Sequence, residues 1–488
     1  MAAPSVTLAL DQGSSSTRCV AYDARLGQVA TAVSRVETAR PGPGMVEHDP
    51  DDLLAGALAA IAEARAACDG EVAAIGIANQ TETFVLWERD TGRAVSPVVS
   101  WQDQRAEELC RALAPQPAAE RIGPVTGLAL DPTFSAPKLA WLFGRDPALL
   151  ARAETGELAF GDVACWLAWH LSGGAGHVAE PSNACRSLLL DVETMAWDDG
   201  LLDLFGVPAA LLPEVRDSDG SGLVTAAGAA GFEAPVAAML GDQQAALYGQ
   251  GCTAPRMAAM TLGTGAFVWK NAGGERPDPA EGVLATIAWQ TAREGRTYAL
   301  EAFGANAGNA LGVLRGSGLV DANWRTQTPD WREPHPVVVP APAGLGTPHW
   351  HGADRVTVVG ASSATTAADL AAAWVAGVAH QIADALAAQE ASGGIDVLRV
   401  GGGLAADRTL LQAVADLSGR VLEVAADLEA TARGIATLAA ASVDALDPGA
   451  AGHAVAGRVE PALAADVRES ERARWRDALE VHMRPEAG

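Results

Sequence analysis

Two small-residue turns stand out for the chemistry their backbones could do. "LALDQGSSSTR" (8–18) ends an apolar run in Asp11, a Gly13 turn, three hydroxyls at Ser14, Ser15 and Ser16, and the guanidinium of Arg18. "TLGTGAFV" (261–268) repeats the plan with Gly263, the Thr264 hydroxyl and Gly265. Such turns can aim several backbone N–H groups at one point and so make a concave anion site. Either alone reads better as a plain β-turn. Together with the Gly401–Gly403 turn they suggest a clamp for nucleotide phosphates closed between two domains. The chain has no GxxxxGK[ST] stretch, which excludes a P-loop enzyme.

Carboxylates sit where such a clamp would need them. Asp11, at a strand end, could cap its own turn. It could also hold a hydrated Mg²⁺, because a hard cation on phosphates takes one or two carboxylates and keeps several waters. Asp242 follows "APVAAML" and Gly241. It could cap the next helix or act as a general base facing a cleft. In "GIANQTETFVLW" (76–87) five polar residues, Asn79 to Thr83, interrupt an apolar strand pattern, which predicts a strand end facing a hydroxyl-rich ligand. Trp101, flanked by polar residues, could wall a small-molecule pocket. Lys138, in "TFSAPKLAWLF", reads as a lysine snorkelling from a helix.

The elements that must position these groups follow from periodicity. Residues 5–23 and 256–271 each read as a strand hairpin, 51–68 as an alanine-rich helix, and 234–251 as a buried strand entering a helix near Asp242. "IDVLRVGGGLAADRTLLQAVADLSG" reads as strand, glycine turn and helix. A length of 488 residues exceeds one core. The repeated hairpin-and-helix plan predicts two related α/β domains, 1–248 and 249–488.

Composition narrows the partners. The formal net charge is -26, and the only lysines are Lys138 and Lys270, which argues against a nucleic-acid backbone or an anionic membrane. Six cysteines lie far apart with no CxxC pair, as expected of reduced thiols in a cytoplasmic protein. The first residues lack a signal-peptide pattern. The apolar "LAAAWVAGVAHQIADALAA" carries His380 and Asp384, which speaks against a membrane span.

Taken in order along the chain, "LALDQGSSSTR", "GMVEHDP", "IGIANQTETFVLW", "VVSWQDQR", "WLAWHLSGG", "LGDQQAALYGQ", "TLGTGAFV", "PAPAGLGTPHW" and "LRVGGGLAADRTLLQAVADLSG" resemble the FGGY carbohydrate kinases, and within them the glycerol kinases most closely. The resemblance implies two ribonuclease-H-like domains of the actin and hexokinase type around a central nucleotide cleft. It implies ATP and Mg²⁺ as cofactors, a small polyol or sugar as substrate, and a homo-oligomer, dimer or tetramer. The family's ATP contacts fall on Ser14, Ser15, Ser16, Arg18, Thr264, Gly308, Gly312, Gly403 and Asp407, the metal-side carboxylate on Asp11, and the base on Asp242. The polyol contacts fall on Thr81, Glu82, Trp101, Thr133, Asp242, Gln243 and Phe267.

Four positions depart from the glycerol kinase pattern. Gly312 and Asp407 stand where Gln and Asn are usual, Thr81 where Arg is usual, and Thr133 where Tyr is usual. The last two changes shrink side chains and remove donors, so the pattern predicts a wider, less positive pocket. Two readings follow: phosphorylation of glycerol to glycerol 3-phosphate with altered contacts, or of a polyol or ketose of four to six carbons. A non-catalytic sugar-binding relative is a third, and an actin-like ATPase is disfavoured by the polar strand end and Trp101.

Overall fold

The computed structural model describes residues 5–427, 429–447 and 452–484. The first five-stranded sheet has the order Val236–Gly241, Glu71–Asn79, Ser5–Gln12, Ser16–Tyr22, Gln28–Arg35. Its first three strands run parallel, and the hairpin Ser5–Gln12 to Ser16–Tyr22 adds the antiparallel part. A seven-stranded sheet repeats this order from Gly295–Gly304 through Ala266–Gly273, Met257–Leu262, Val397–Gly401 and Leu422–Ala425, with one extra strand at each edge. Both expected hairpins are therefore present, each at the centre of its own sheet.

Strand alternation decides what covers each face. Val6, Leu8, Leu10, Ile75 and Ile77 of the first sheet face the helices Pro50–Ala66 and Val163–Leu171. The helix Pro50–Ala66 starts where Asp49 accepts from the Asp51 and Asp52 amides, with proline in the first turn. The opposite face is lined by small residues, Ala9, Ala74, Ala78 and Ala238, and receives the helices Asp242–Gly249 and Ala430–Ser442. A Cβ on Gly76 would lie 2.8 Å from the Ile435 carbonyl oxygen, so a small residue here is what admits the second helix.

Those two helices touch backbone to backbone. A Cβ at Gly249 would stand 1.9 Å from the Ala430 carbonyl oxygen, and one at Gly434 would stand 1.9 Å from that of Ala245. A late segment of the chain is thereby locked against the first sheet. In the second half, the long helix Ala367–Ala391 is capped by Thr366 and Asp369 and buried against Arg408–Ser418 and the large sheet. By length and composition it could cross a membrane, but most of it is buried inside the protein. Asp384 on it accepts from the Trp475 indole at 2.7 Å and pairs with Arg472. All six cysteines are buried and free.

The expected strand end lies after Asn79, and the apolar residues beyond it form a second strand: Glu71–Asn79 belongs to the five-stranded sheet, and Phe84–Glu88 to a separate four-stranded sheet. The polar residues Gln80–Thr83 make the turn between them, and Glu82 takes a left-handed backbone at φ 62°. A non-glycine residue in that region is uncommon and is held by its surroundings.

A candidate active site at the strand ends

Register brings the chemistry together. Gln12 pairs with Asn79, and Asn79 with Gly241, so Asp11, Glu82 and Asp242 arise at the carboxyl ends of three adjacent parallel strands. In α/β sheets this edge is where ligands bind. A cavity of about 460 Å³ opens there, and Ser14, Thr81, Glu82, Trp101, Thr133, Asp242, Gln243 and Phe267 all line it. All seven residues expected at the polyol site therefore share one cavity, with the first serine of the phosphate-type turn.

Hydrogen bonds fix the wall. The Trp101 indole donates to Ser14 Oγ at 3.1 Å, and its amide donates to Thr83 Oγ1 at 3.0 Å. The Gln80 amide donates to the Gln12 carbonyl at 2.8 Å. Ser135 Oγ donates to the Glu82 carbonyl at 3.0 Å, holding the turn in its left-handed form. Asp242 opens its helix and accepts from the Gln243 amide at 2.8 Å. Behind it, Ser182 Oγ accepts from the Gly241 amide at 2.9 Å and donates to Glu180 at 2.6 Å. The fully buried Glu180, pushed up to about 7 by that burial, also accepts from Ser218 and Asn183.

Lys138 does not snorkel. It is completely buried, and its ammonium donates to the carbonyls of Ser100 and Thr133 at 3.0 and 2.6 Å. Burial brings its pKa down to about 7. It ties the segment that carries Trp101 to the one that carries Thr133. Lys270 is buried in the same manner, on the carbonyls of Gln389, Ser392 and Gly394.

The carboxylates disfavour one another's ionisation. Burial, then the charges of Asp11 and Glu82, push Asp242 up to about 8, against the pull of the Gln243 amide and Arg186. Burial pushes Asp11 up to about 6, lowered by Arg18 and raised by Glu429. Arg18 pairs with Glu429, the residue just before the helix Ala430–Ser442.

The turns fit a polyphosphate. Among the described residues, the amides of Ser14, Ser15, Thr264 and Gly265 donate to no protein acceptor, which leaves donors for an anion. The Gly308 amide donates to the Gly263 carbonyl at 3.0 Å, joining the second turn to the next helix. A Cβ on Gly402 would stand 2.5 Å from the Leu262 carbonyl oxygen, so glycine lets that turn approach. Gly312 and Gly403 are exposed with open space around them. Asp407 has both oxygens engaged, one capping Arg408–Ser418 and the other accepting from Thr326. No group of three or more metal-ligating side chains occurs among the described residues. A cation here would be held by phosphates and one carboxylate, and Asp11 suits that.

Sequence reasoning missed Arg186, Glu301, Trp269 and Phe303, which also line the cavity. Arg186 donates to Glu82 at 2.6 Å and to Glu301 at 2.7 Å. Phe303 packs on Phe267 with ring centroids 4.7 Å apart. The available signal was a lone charge in each apolar run, "ACRSLLL" and "YALEAF".

Comparison with known proteins agrees with this geometry. The N-terminal domain model of the FGGY family of carbohydrate kinases matches residues 6–249, and the C-terminal domain model matches 258–443. A glycerol kinase of Citrifermentans bemidjiense is 42% identical over 98% of both chains. One of Thermus brockianus is 44% identical over 88% of this chain and 89% of its own. The crystal structure of Plasmodium falciparum glycerol kinase with ADP superposes with a TM-score of 0.91 at 25% identity, covering 99% of each chain. With two related α/β halves, a cavity of carboxylates at the strand ends and matches along nearly its whole length, the chain belongs to the FGGY family of ATP-dependent carbohydrate kinases.

Proposed function

We propose that the chain transfers the γ-phosphoryl group of ATP to a hydroxyl of glycerol, giving glycerol 3-phosphate, with Asp242 as general base. The observation that carries this reading is one cavity in which Asp242 and Glu82 meet the Ser14 turn. Phosphoryl transfer asks a protein mostly for positioning and charge neutralisation. Glu82 accepts from a substrate hydroxyl, Trp101 and Phe267 pack on the carbon chain, and Gln243 and Thr133 line the remaining polar wall. Asp242, open to the cavity, takes in its ionised form the proton of the attacking hydroxyl. The free amides of Ser14, Ser15, Thr264 and Gly265, with Arg18, hold phosphate oxygens. Ser16, Gly308, Gly312 and Gly403 border the nucleotide, and Asp407 acts there through the helix it caps. ATP binds with Mg²⁺, which Asp11 would hold through water and which supplies positive charge against the phosphates.

A longer polyol or ketose has less support. The Thr81 methyl packs 2.3 Å from where a Gly241 Cβ would be, and Arg186 and Phe303 take up room in the cavity. The named bacterial relatives also point to glycerol. Assembly as a dimer or tetramer and a cytoplasmic location complete the reading and rest on the family resemblance. Polyol-dependent ADP release, measured over glycerol, tetritols, pentitols and ketopentoses, tests it. Glycerol is expected to give the highest kcat/KM. A better tetritol or ketopentose would overturn the substrate assignment, and no polyol dependence would overturn the kinase reading.

A further inference from the structure

A guanidinium taken out of water needs its donors paired or wetted. Arg186 is 5% exposed, on a short helical turn between Cys185 and Ser187. Nε is taken by Glu82 and Nη1 by Glu301. Its guanidinium carbon lies 5.2 Å from the ring centroid of Phe134 and 5.6 Å from that of Trp269. Nη2 differs from the other nitrogens. It finds no acceptor among the described residues, yet it is not one of the polar atoms sealed from solvent without a partner. Since Arg186 lines the cavity, its remaining open edge faces the substrate space.

We propose that Arg186 is a substrate-binding residue whose Nη2 donates to a hydroxyl oxygen of the polyol, supplying the forked cation that position 81 lacks. The inference rests on the polyol-kinase reading of this site. A hydroxyl both donates and accepts. Glu82 offers an acceptor and Arg186 a donor, and the bond of 2.6 Å between them fixes the two as one unit. Such a pair matches one hydroxyl or two adjacent ones. Glu301 holds the guanidinium plane from the far side, so few rotamers are lost when substrate arrives. The pocket therefore keeps a positive donor despite Thr81.

The test compares glycerol with propane-1,2-diol and propane-1,3-diol in steady-state turnover of the full-length enzyme. Arg186→Lys keeps a cation between the two carboxylates but is too short to reach the cavity as a fork. The KM for glycerol is expected to rise about 10- to 100-fold, the usual weight of a hydrogen bond to a charged group. Thermal midpoint and the KM for ATP should hold. The preference for glycerol over the diol that lacks the contacted hydroxyl should fall by the same factor, because that diol never used the bond. Adding Thr81→Arg should restore part of the preference. If Arg186→Lys does not fold, Arg186→Met with Glu301→Gln removes one charge of each sign and gives the same readout. An unchanged preference for glycerol over both diols in the folded variant would overturn the inference and leave Arg186 as a counter-ion only. Wild-type protein without glycerol-dependent turnover would overturn the kinase reading itself, before any variant is compared.

Discussion

Replacing Asp242 by asparagine should make the protein more stable and nearly inactive. The side chains match in shape, and asparagine keeps an oxygen to accept from the Gln243 amide at 2.8 Å. What disappears is a carboxylate that burial and the charges of Asp11 and Glu82 push from 3.8 to about 8. A shift of that size corresponds to roughly 6 kcal/mol against the ionised form. Water in the open cavity screens part of it, so this is an upper figure.

The sign follows from linkage. A carboxyl with a raised folded pKa contributes its full stability below the unfolded value, near 4, and loses it as pH rises towards about 8. Asparagine does not titrate. The stability gap between Asp242→Asn and wild type should therefore widen by up to about 1.4 kcal/mol per pH unit between about 4 and 8, and then level off. Thermal melts of nucleotide-free protein from pH 5 to 9 read this directly. In parallel, kcat should fall about 10²- to 10⁴-fold, the range for a lost general base, while ATP binding by calorimetry stays within a few-fold. A pH-independent melting gap would refute the electrostatic account. Turnover within tenfold of wild type would refute the base assignment.

Three further changes probe what supports the site. Ser182→Ala strands the buried Gly241 amide and removes one partner of Glu180; about 1–3 kcal/mol of stability should be lost, with a lower kcat and an unchanged KM for ATP. Gly249→Ala drives a methyl to within 1.9 Å of the Ala430 carbonyl oxygen, so chemical denaturation should report a loss of at least about 1–3 kcal/mol. Lys138→Met unties the carbonyls of Ser100 and Thr133. Turnover assays should show a raised KM for glycerol, and melts a loss of about 1–3 kcal/mol from the two unpaired carbonyls.

How much was legible in the sequence depended on the range of the interaction. The hairpins at 5–22 and 257–273 were legible because strand alternation and turn chemistry are local. The strand end after Asn79 was legible too, but not the separate sheet that Phe84–Glu88 joins, because the neighbours of that strand lie at 98–99 and 158–162, far away in the chain. Lys138 was misread for a related reason. Helical periodicity places it on an amphipathic helix, but one of its two acceptors, the Ser100 carbonyl, comes from a segment 38 residues away. Of the site, Glu82 and Asp242 were legible as polar residues at strand ends. Arg186 gave a weaker signal, since a buried charge gains meaning only from partners 104 and 115 residues away.

That distance explains why the pocket could not be judged from Thr81 alone. Counting side chains along the strand suggests a wider, less positive pocket beside Glu82. In three dimensions a cation from another segment, Arg186, bonds to Glu82 directly. The Thr81 methyl meanwhile packs against the backbone of Gly241, just before Asp242. The two effects oppose each other: a smaller side chain opens space, while a buried ion triad of Glu82, Arg186 and Glu301 fills and polarises it. Removing any one member of a triad this buried leaves an uncompensated charge and is strongly disfavoured. On the proposed reading, the polyol end owes its shape to one arginine held by two carboxylates, and the phosphate end to backbone amides together with Arg18.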